Sequence, residues 1–180
     1  DFCCGGRQVL EDACLAAGLD PDAIISEITE ELPNADDQSW AERPLPELID
    51  FIVTRFHDTL RRDLPVVLEA AQRVERVHGA KPNCPHGLAA QLERMGTEIR
   101  QHLDKEEKAL FPAIRSGAHG GMLHTPVHVM LQEHEDHGAN LQQLRELAAD
   151  YQPPPEACAT WRALYSSLAK LEAELMQHIH

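Results

Sequence analysis

The sequence lacks the features that would place it in a membrane or on nucleic acid. No apolar run approaches the ~20 residues that a membrane-spanning helix needs, and no basic-then-apolar signal peptide opens the chain. Lys/Arg-rich runs are also missing, and 30 acidic against 16 basic residues give the 180-residue chain a formal net charge of -14. So acidic a chain is a poor binder of nucleic acid or anionic lipid, and it suits a protein that handles cations.

Cysteine and aromatic residues are few as well. The five cysteines are an odd number, and Cys3 and Cys4 are adjacent, which argues against a disulfide framework and favours a reducing cytoplasm. Aromatic residues make up 4% of the chain and β-branched runs are scarce, which leaves little to form strands. Leu, Ala, Glu and Gln dominate, and this composition predicts an all-α protein. The chain begins at Asp1 rather than Met, and we expect that residues precede it.

Residues 1–36 are predicted to form a small helical domain. Gly5-Gly6 follows the cysteine pair, Gly18 stops a first helix, and Asp20-Pro21 starts a second one. Two helices of this size cannot bury enough surface alone. We therefore expect the domain to dock on the rest of the chain or on a second subunit, and a homodimer is one option. The polar, turn-rich residues 37–43 are predicted to be a linker.

Four long segments of helical periodicity fill residues 44–180. Their apolar residues recur at steps of three and four, and short connections join them. This pattern predicts an up-down-up-down four-helix bundle. The first segment contains Pro65, where we expect a bend. The predicted segments cover residues 44–78, 85–116, 125–150 and the stretch after Pro153-Pro154-Pro155.

Each of the four segments carries a histidine on its apolar stripe: His57, His102, His134 and His178. Glu106 follows His102 by four residues, so both side chains share one helix face. A single stripe histidine is more often a hydrogen-bonded core residue, but a metal-free structural bundle would leave all five residues unexplained. Bundles build metal sites by projecting His and carboxylate side chains inward from facing helices. Imidazole and carboxylate ligands without a thiolate favour iron or manganese over a structural zinc.

The Cys-Cys-Gly-Gly motif at residues 3–6, together with the His-x-x-x-Glu bundle, resembles the iron–sulfur cluster repair di-iron proteins. This RIC, or YtfE/ScdA/NorA, family is hemerythrin-like. Further matching stretches are VERVH at 74–78, KEE at 105–107 with LFP at 110–112, and PPPEAC at 153–158. The resemblance covers essentially the whole chain. It implies an oxo-bridged centre of two iron ions, held by four His and two bridging Glu.

The resemblance carries over to specific positions of this sequence. The second bridging Glu should follow His178 by four residues, a position that lies beyond the sequence, and we therefore expect the C-terminal end to be truncated. His180 could replace it in principle but lies on another face of the helix. The implied iron ligands are His57, His102, Glu106, His134 and His178.

Three further residues are candidates for supporting roles on the same stripes. Glu98 precedes His102 by four residues, and Glu133 is adjacent to His134. Either is a hydrogen-bond acceptor behind a ligand or part of a path for iron, and the alternative is an ordinary solvated carboxylate. His137 follows His134 by three residues and is expected to be a supporting or neutral residue.

The cysteines divide into two groups. Cys3 and Cys4 could bind iron, react with nitric oxide or exchange disulfides with a partner, and the alternative is a pair of ordinary reduced thiols. Neighbouring cysteines do not easily bond to each other without backbone strain. The other three are expected to be structural or surface thiols: Cys14, Cys84 and Cys158.

The resemblance implies a cytoplasmic stress protein that repairs iron–sulfur clusters damaged by nitrosative or oxidative stress. In one chemistry, the centre donates iron to damaged or apo iron–sulfur proteins. In the other, it binds and reduces nitric oxide, and only then would the protein be a turnover enzyme. A hemerythrin-like dioxygen or nitric oxide sensor is a further alternative, although such carriers have a fifth stripe histidine and only His137 approaches that place. The sequence leaves these alternatives open.

Overall fold

The computed structural model describes residues 9–31 and 43–179, and within these ranges every regular element is helical. The all-α prediction is therefore confirmed. The chain divides into two compact units, Asp1–Arg43 and Pro44–His180. Cys3, Cys4, His180 and positions 37–42 of the predicted linker lie outside the described residues.

The described part of the N-terminal unit consists of two short helices, whose signals are visible in the sequence. The first ends at Gly18, which has a φ of 69° in the left-handed region that favours glycine. Pro21 opens the second, and the carboxylate of Asp20 accepts a hydrogen bond of 3.0 Å from the backbone N–H of Asp22. The helices are α1 (Leu10–Ala17) and α2 (Pro21–Glu31).

The larger unit is the predicted four-helix bundle, with α4 packed against α5 and α8, and α5 against α7. None of the described helices is both long and apolar enough to cross a membrane. The first segment contains α3 (Leu45–Ile52), a π-helical turn (Val53–His57) and α4 (Asp58–His78). The second contains α5 (Leu88–Lys105), a π-helical turn (Glu106–Leu110) and α6 (Phe111–Arg115). The third and fourth are α7 (Gly121–Leu147), followed by the turn Ala149–Tyr151, and α8 (Ala159–Ile179).

Two apolar clusters fill the bundle at different heights. The larger one, here called the core, runs along the four helices from Leu60 to Leu175 and contains Trp161, which is 0% exposed. The smaller one, here called the cap cluster, consists of Ile49, Leu110, Phe111 and Met130. Along the first three segments, the predicted metal ligands come between residues of the cap cluster or its neighbours and residues of the core. They therefore form a polar layer between two apolar ones.

The two π-helical turns coincide with predicted ligands. The turn Val53–His57 ends at a stripe histidine, and the turn Glu106–Leu110 begins at the stripe glutamate. A π-helical turn holds more residues than an α-helical one, so it rotates the side chains that follow, and such turns are frequent at functional sites. By contrast, α4 continues through Pro65 as one helix. The first segment thus has its π-helical turn at Val53–His57, and the bend at Pro65 stays a prediction.

Candidate metal centre

The four stripe histidines and Glu106 converge in the polar layer. The Nε2 atoms of His57 and His178 lie 3.1 Å apart, and those of His102 and His134 are separated by the same distance. The carboxylate oxygen Oε2 of Glu106 lies 3.1 Å from the Nε2 atom of His57. It is also 3.5 Å from His102 Nε2 and 3.6 Å from His178 Nε2. Histidines from the first, second and fourth segments thus surround one carboxylate, and His134 of the third segment joins them through His102.

The possible ligand atoms fall into two groups that share one residue. His57, Glu106 and His178 form one group, and His102, His134 and His178 form the other. Within each group, the ligand atoms all lie within 4.8 Å of one another. Each group thus offers three possible ligand atoms to a metal ion, and the two groups meet at His178.

A carboxylate stands behind one histidine of each facing pair. The Nδ1–H group of His57 donates to Oε1 of Glu107 at 2.6 Å, and the Nδ1–H group of His102 donates to Oε2 of Glu133 at 2.8 Å. A proton held at Nδ1 leaves the lone pair at Nε2, which is the atom that faces the centre. These two carboxylates therefore fix the tautomer and the orientation in which both rings can bind a metal.

Each of these carboxylates is itself paired with a cation. Arg61 donates to Glu107 Oε1 at 2.7 Å, and Lys105 forms an ion pair with Glu133. Burial raises the pKa of each carboxyl, but the paired cation and the neighbouring histidine outweigh burial, so the net pKa is lowered in both. Both groups therefore stay ionised and remain hydrogen-bond acceptors at neutral pH.

The protonation states also favour metal binding. Burial lowers the pKa of His102, and burial together with the neighbouring histidines lowers the pKa of His134 to about 4. Burial raises the pKa of Glu106, but its contacts with His178 and His57 outweigh that effect and lower the net value. At neutral pH the layer thus offers neutral imidazoles at His102 and His134 and an ionised carboxylate at Glu106, and a metal ion requires its ligands in these deprotonated forms.

Two buried atoms of the layer lack the hydrogen bonds that their burial demands. Glu106 is 6% exposed, and among the described residues neither its Oε2 atom nor His178 Nδ1 has a hydrogen-bond partner. An ionised carboxylate oxygen without a partner is costly to bury, and a bound cation supplies the missing interaction. The donor set of nitrogen and oxygen fits iron or manganese. These residues therefore fit a metal centre of the predicted kind.

The structure gives Glu98 and Glu133 different surroundings. Glu98 is exposed and accepts a hydrogen bond of 2.7 Å from the side chain of Asn140. Glu133 is adjacent in sequence to His134, but its carboxylate contacts His102 on the facing helix. Of the two predicted supporting carboxylates, Glu133 alone lies against a candidate ligand among the described contacts.

Sequence reasoning missed Glu107 and Arg61. Glu107 follows Glu106 directly, off the stripe of steps of three and four, and the π-helical turn that starts at Glu106 changes the orientation of both side chains. Arg61 follows His57 by four residues, and this spacing could have indicated a positively charged side chain on the same helix face as His57.

Two known families match parts of this chain. Residues 48–180 match the model of the hemerythrin HHE cation binding domain, and residues 1–32 match ScdA_N, a domain of unknown function (DUF542). The bundle is thus a cation-binding domain of the hemerythrin class. The match spans the segments that carry all five candidate ligands.

Two similar proteins are iron-sulfur cluster repair protein YtfE from Yersinia pseudotuberculosis serotype IB (strain PB1/+) and from Yersinia pestis (strain Pestoides F). Each is 44% identical over 183 residues, which cover 100% of this chain and 81% of the relative. The chain belongs to the YtfE family of iron–sulfur cluster repair proteins. This membership confirms the resemblance drawn from the Cys-Cys-Gly-Gly motif and the histidine-rich bundle.

Proposed function

We propose that this protein repairs iron–sulfur clusters damaged by nitrosative or oxidative stress, and that it does so by donating iron. The observation that carries the proposal is the buried, unpartnered Oε2 atom of Glu106 among four imidazoles. The similar Yersinia proteins are named as iron–sulfur cluster repair proteins, which supports the repair role. The proposed centre contains two iron ions joined by an oxo bridge, with the ligands His57, His102, Glu106, His134 and His178.

Each protein group has a definite task in this proposal. Glu106 would help to hold both ions, because its Oε2 atom is within reach of histidines from both facing pairs. Glu107 and Glu133 hold the rings of His57 and His102 in the binding tautomer. Iron bound by these residues would be the source of iron for rebuilding a damaged cluster. It would also offer a place for nitric oxide to bind.

The ligand set also supports release of the metal. Neutral imidazoles and a carboxylate bind iron less tightly than thiolates do, so an apo iron–sulfur protein with free cysteines can compete for it. The side chain of Glu133 is 21% exposed, whereas His102 behind it is 1% exposed. Glu133 thus connects a buried ligand with the surface, and we assign it to the path by which iron leaves.

The proposal includes the cytoplasm as the location and damaged or apo iron–sulfur proteins as the partners. A reducing compartment is where such proteins would expose free cysteines. The described cysteines of this chain are free, which agrees with that setting: Cys14, Cys84 and Cys158.

Transfer of labelled iron tests the proposal. The protein is loaded with iron-57, mixed with an apo ferredoxin, and the ferredoxin is re-isolated and analysed for iron-57 and for cluster absorption. We expect transfer from the wild type and from Glu93→Leu, a control that removes an exposed carboxylate from α5. Glu106→Leu should transfer none, because it should not load.

Two results would contradict iron donation. One is cluster formation no faster than with the same amount of free iron salt. The other is turnover of nitric oxide by the loaded protein with its iron retained throughout, which would favour the reductase alternative.

A further inference from the structure

His137 is the most deeply buried polar side chain near the centre that has no role in the proposed iron site. It is 2% exposed, and neither Nδ1 nor Nε2 has a hydrogen-bond partner within residues 9–31 and 43–179. His57 and His102 differ in this respect, because each donates its Nδ1–H group to a carboxylate. Buried polar groups are hydrogen-bonded in the great majority of cases, so this ring requires an explanation.

The ring lies on the core side of the polar layer. His137 follows His134 by three residues on α7, which puts both on one face of the helix, and the next buried positions, Leu141 and Leu144, belong to the core. The rings of His137 and His102 meet edge to face, with centroids 5.2 Å apart. His137 is therefore next to a candidate iron ligand and against the apolar interior.

The geometry separates His137 from the ligands themselves. Neither group of ligand atoms that lie within 4.8 Å of one another includes it. An imidazole ring carries at least one N–H donor, and the described residues of the protein supply no hydrogen-bond partner to either ring nitrogen of His137.

We propose that His137 forms a binding site for a small ligand beside the iron centre. Its ring N–H group donates a hydrogen bond to an acceptor atom of a ligand the size of azide or nitric oxide, held next to His102. This inference rests on the proposed iron centre and adds to it the residue that selects and retains a small molecule there. The ligand must be small, because the site lies between the polar layer and a packed core.

Azide is the probe that tests this site. Wild-type protein loaded with ferric iron is titrated with sodium azide, and binding is followed by the optical spectrum while iron content is measured on the same samples. We expect His137→Leu to keep its iron and to bind azide about tenfold more weakly, which is the loss of one hydrogen bond. His137→Gln keeps an N–H donor and should bind azide more tightly than His137→Leu.

His128→Leu is the matched control, because it removes an exposed histidine from the same helix. It should bind azide as the wild type does. The iron-free His137→Leu protein should melt at a higher temperature than the iron-free wild type, since an unpartnered polar group is replaced by an apolar one. If that variant does not fold, the azide affinities of His137→Gln and His137→Asn are compared instead. His137→Asn has a shorter side chain and should bind azide more weakly than His137→Gln.

Several outcomes would overturn the inference. Equal azide affinity in the wild type and His137→Leu would do so, as would failure of a fully iron-loaded wild type to bind azide. Loss of iron from His137→Leu would make His137 a ligand instead of a separate site. A wild type that takes up no iron at all is a different result, because it overturns the proposed iron centre that the inference requires.

Discussion

The core and the polar layer are built by the same four helical segments, and both contain side chains that are fully buried. Leu88 in the core and His57 in the layer are both 0% exposed. In the core, burial itself stabilises the fold, since apolar surface leaves water. In the layer, burial opposes folding, because polar atoms such as Glu106 Oε2 have lost water without gaining a hydrogen bond. The polar layer is therefore arranged to bind a metal ion, whereas the core is arranged to pack.

The largest expected effect is on metal content, from a change in the layer alone. Glu106→Leu removes the carboxylate that both histidine pairs share, and we expect loss of essentially all bound iron. The helical content should persist, because the core is untouched. Metal analysis and far-ultraviolet circular dichroism of the same sample check both halves of this prediction, with Glu93→Leu as control. Iron retained by the variant would mean that the layer does not depend on its carboxylate.

The reciprocal change in the core should affect stability and leave the ligands in place. Trp161→Ala leaves a large cavity, and we expect it to lower the free energy of unfolding by about 3–5 kcal/mol. Denaturant titration measures this loss. Iron content at a temperature where the variant is folded should equal that of the wild type. Val77→Ala, at a position that is 61% exposed, should change stability by less than about 0.5 kcal/mol.

A smaller effect is expected from the carboxylates behind the layer. Glu107→Gln weakens the acceptor for His57 Nδ1–H and for Arg61, and such changes typically reduce metal affinity about 10–100-fold. Competition with a chelator measures the affinity. Glu98→Gln, which alters a carboxylate paired with Asn140, should reduce affinity much less. Equal effects from both substitutions would show that the contact with His57 is irrelevant to binding.

The smallest effect concerns the iron-free protein in acid. The pKa of His137 is lowered to about 4, so the unfolded chain binds more protons between that value and the ordinary histidine pKa of about 6.5. The contribution of neutral His137 to the free energy of unfolding is therefore fully present above pH ~6.5, and it is lost as pH falls toward 4. We expect a loss on the order of 2 kcal/mol from this group between pH ~6.5 and pH ~5, measured by denaturant titration at several pH values. The free energy of unfolding of His137→Leu should depend less steeply on pH. An unchanged dependence would contradict the lowered pKa of His137.

Much of the fold could be predicted because helical periodicity is a local property of the sequence. Steps of three and four place His57, His102, His134 and His178 on the stripes, and Gly18 and Pro21 mark helix ends that the structure confirms. The predicted ends of the helical segments are less accurate where a turn sets them. The second segment begins at Leu88 rather than residue 85, after a left-handed Gly87, and the third begins at Gly121 rather than residue 125.

The rest of the site depends on packing, which periodicity does not report. Glu107 reaches His57 because a π-helical turn begins one residue earlier, and a period of 3.6 residues does not reveal such a turn. Glu133 faces His102 across two helices, which depends on the relative height of α5 and α7. The roles of Cys3 and Cys4 stay predictions, because those residues lie outside the described ranges.

X-ray absorption at the iron edge of the iron-loaded protein tests the central claim most directly, because it reports the atoms bound to the metal. We predict a shell of nitrogen and oxygen with the scattering signature of imidazole, a second iron atom nearby and no sulfur. The Glu106→Leu protein treated in parallel should give no bound iron to measure. A sulfur shell in the wild type, or a sample that binds zinc and refuses iron, would contradict the account.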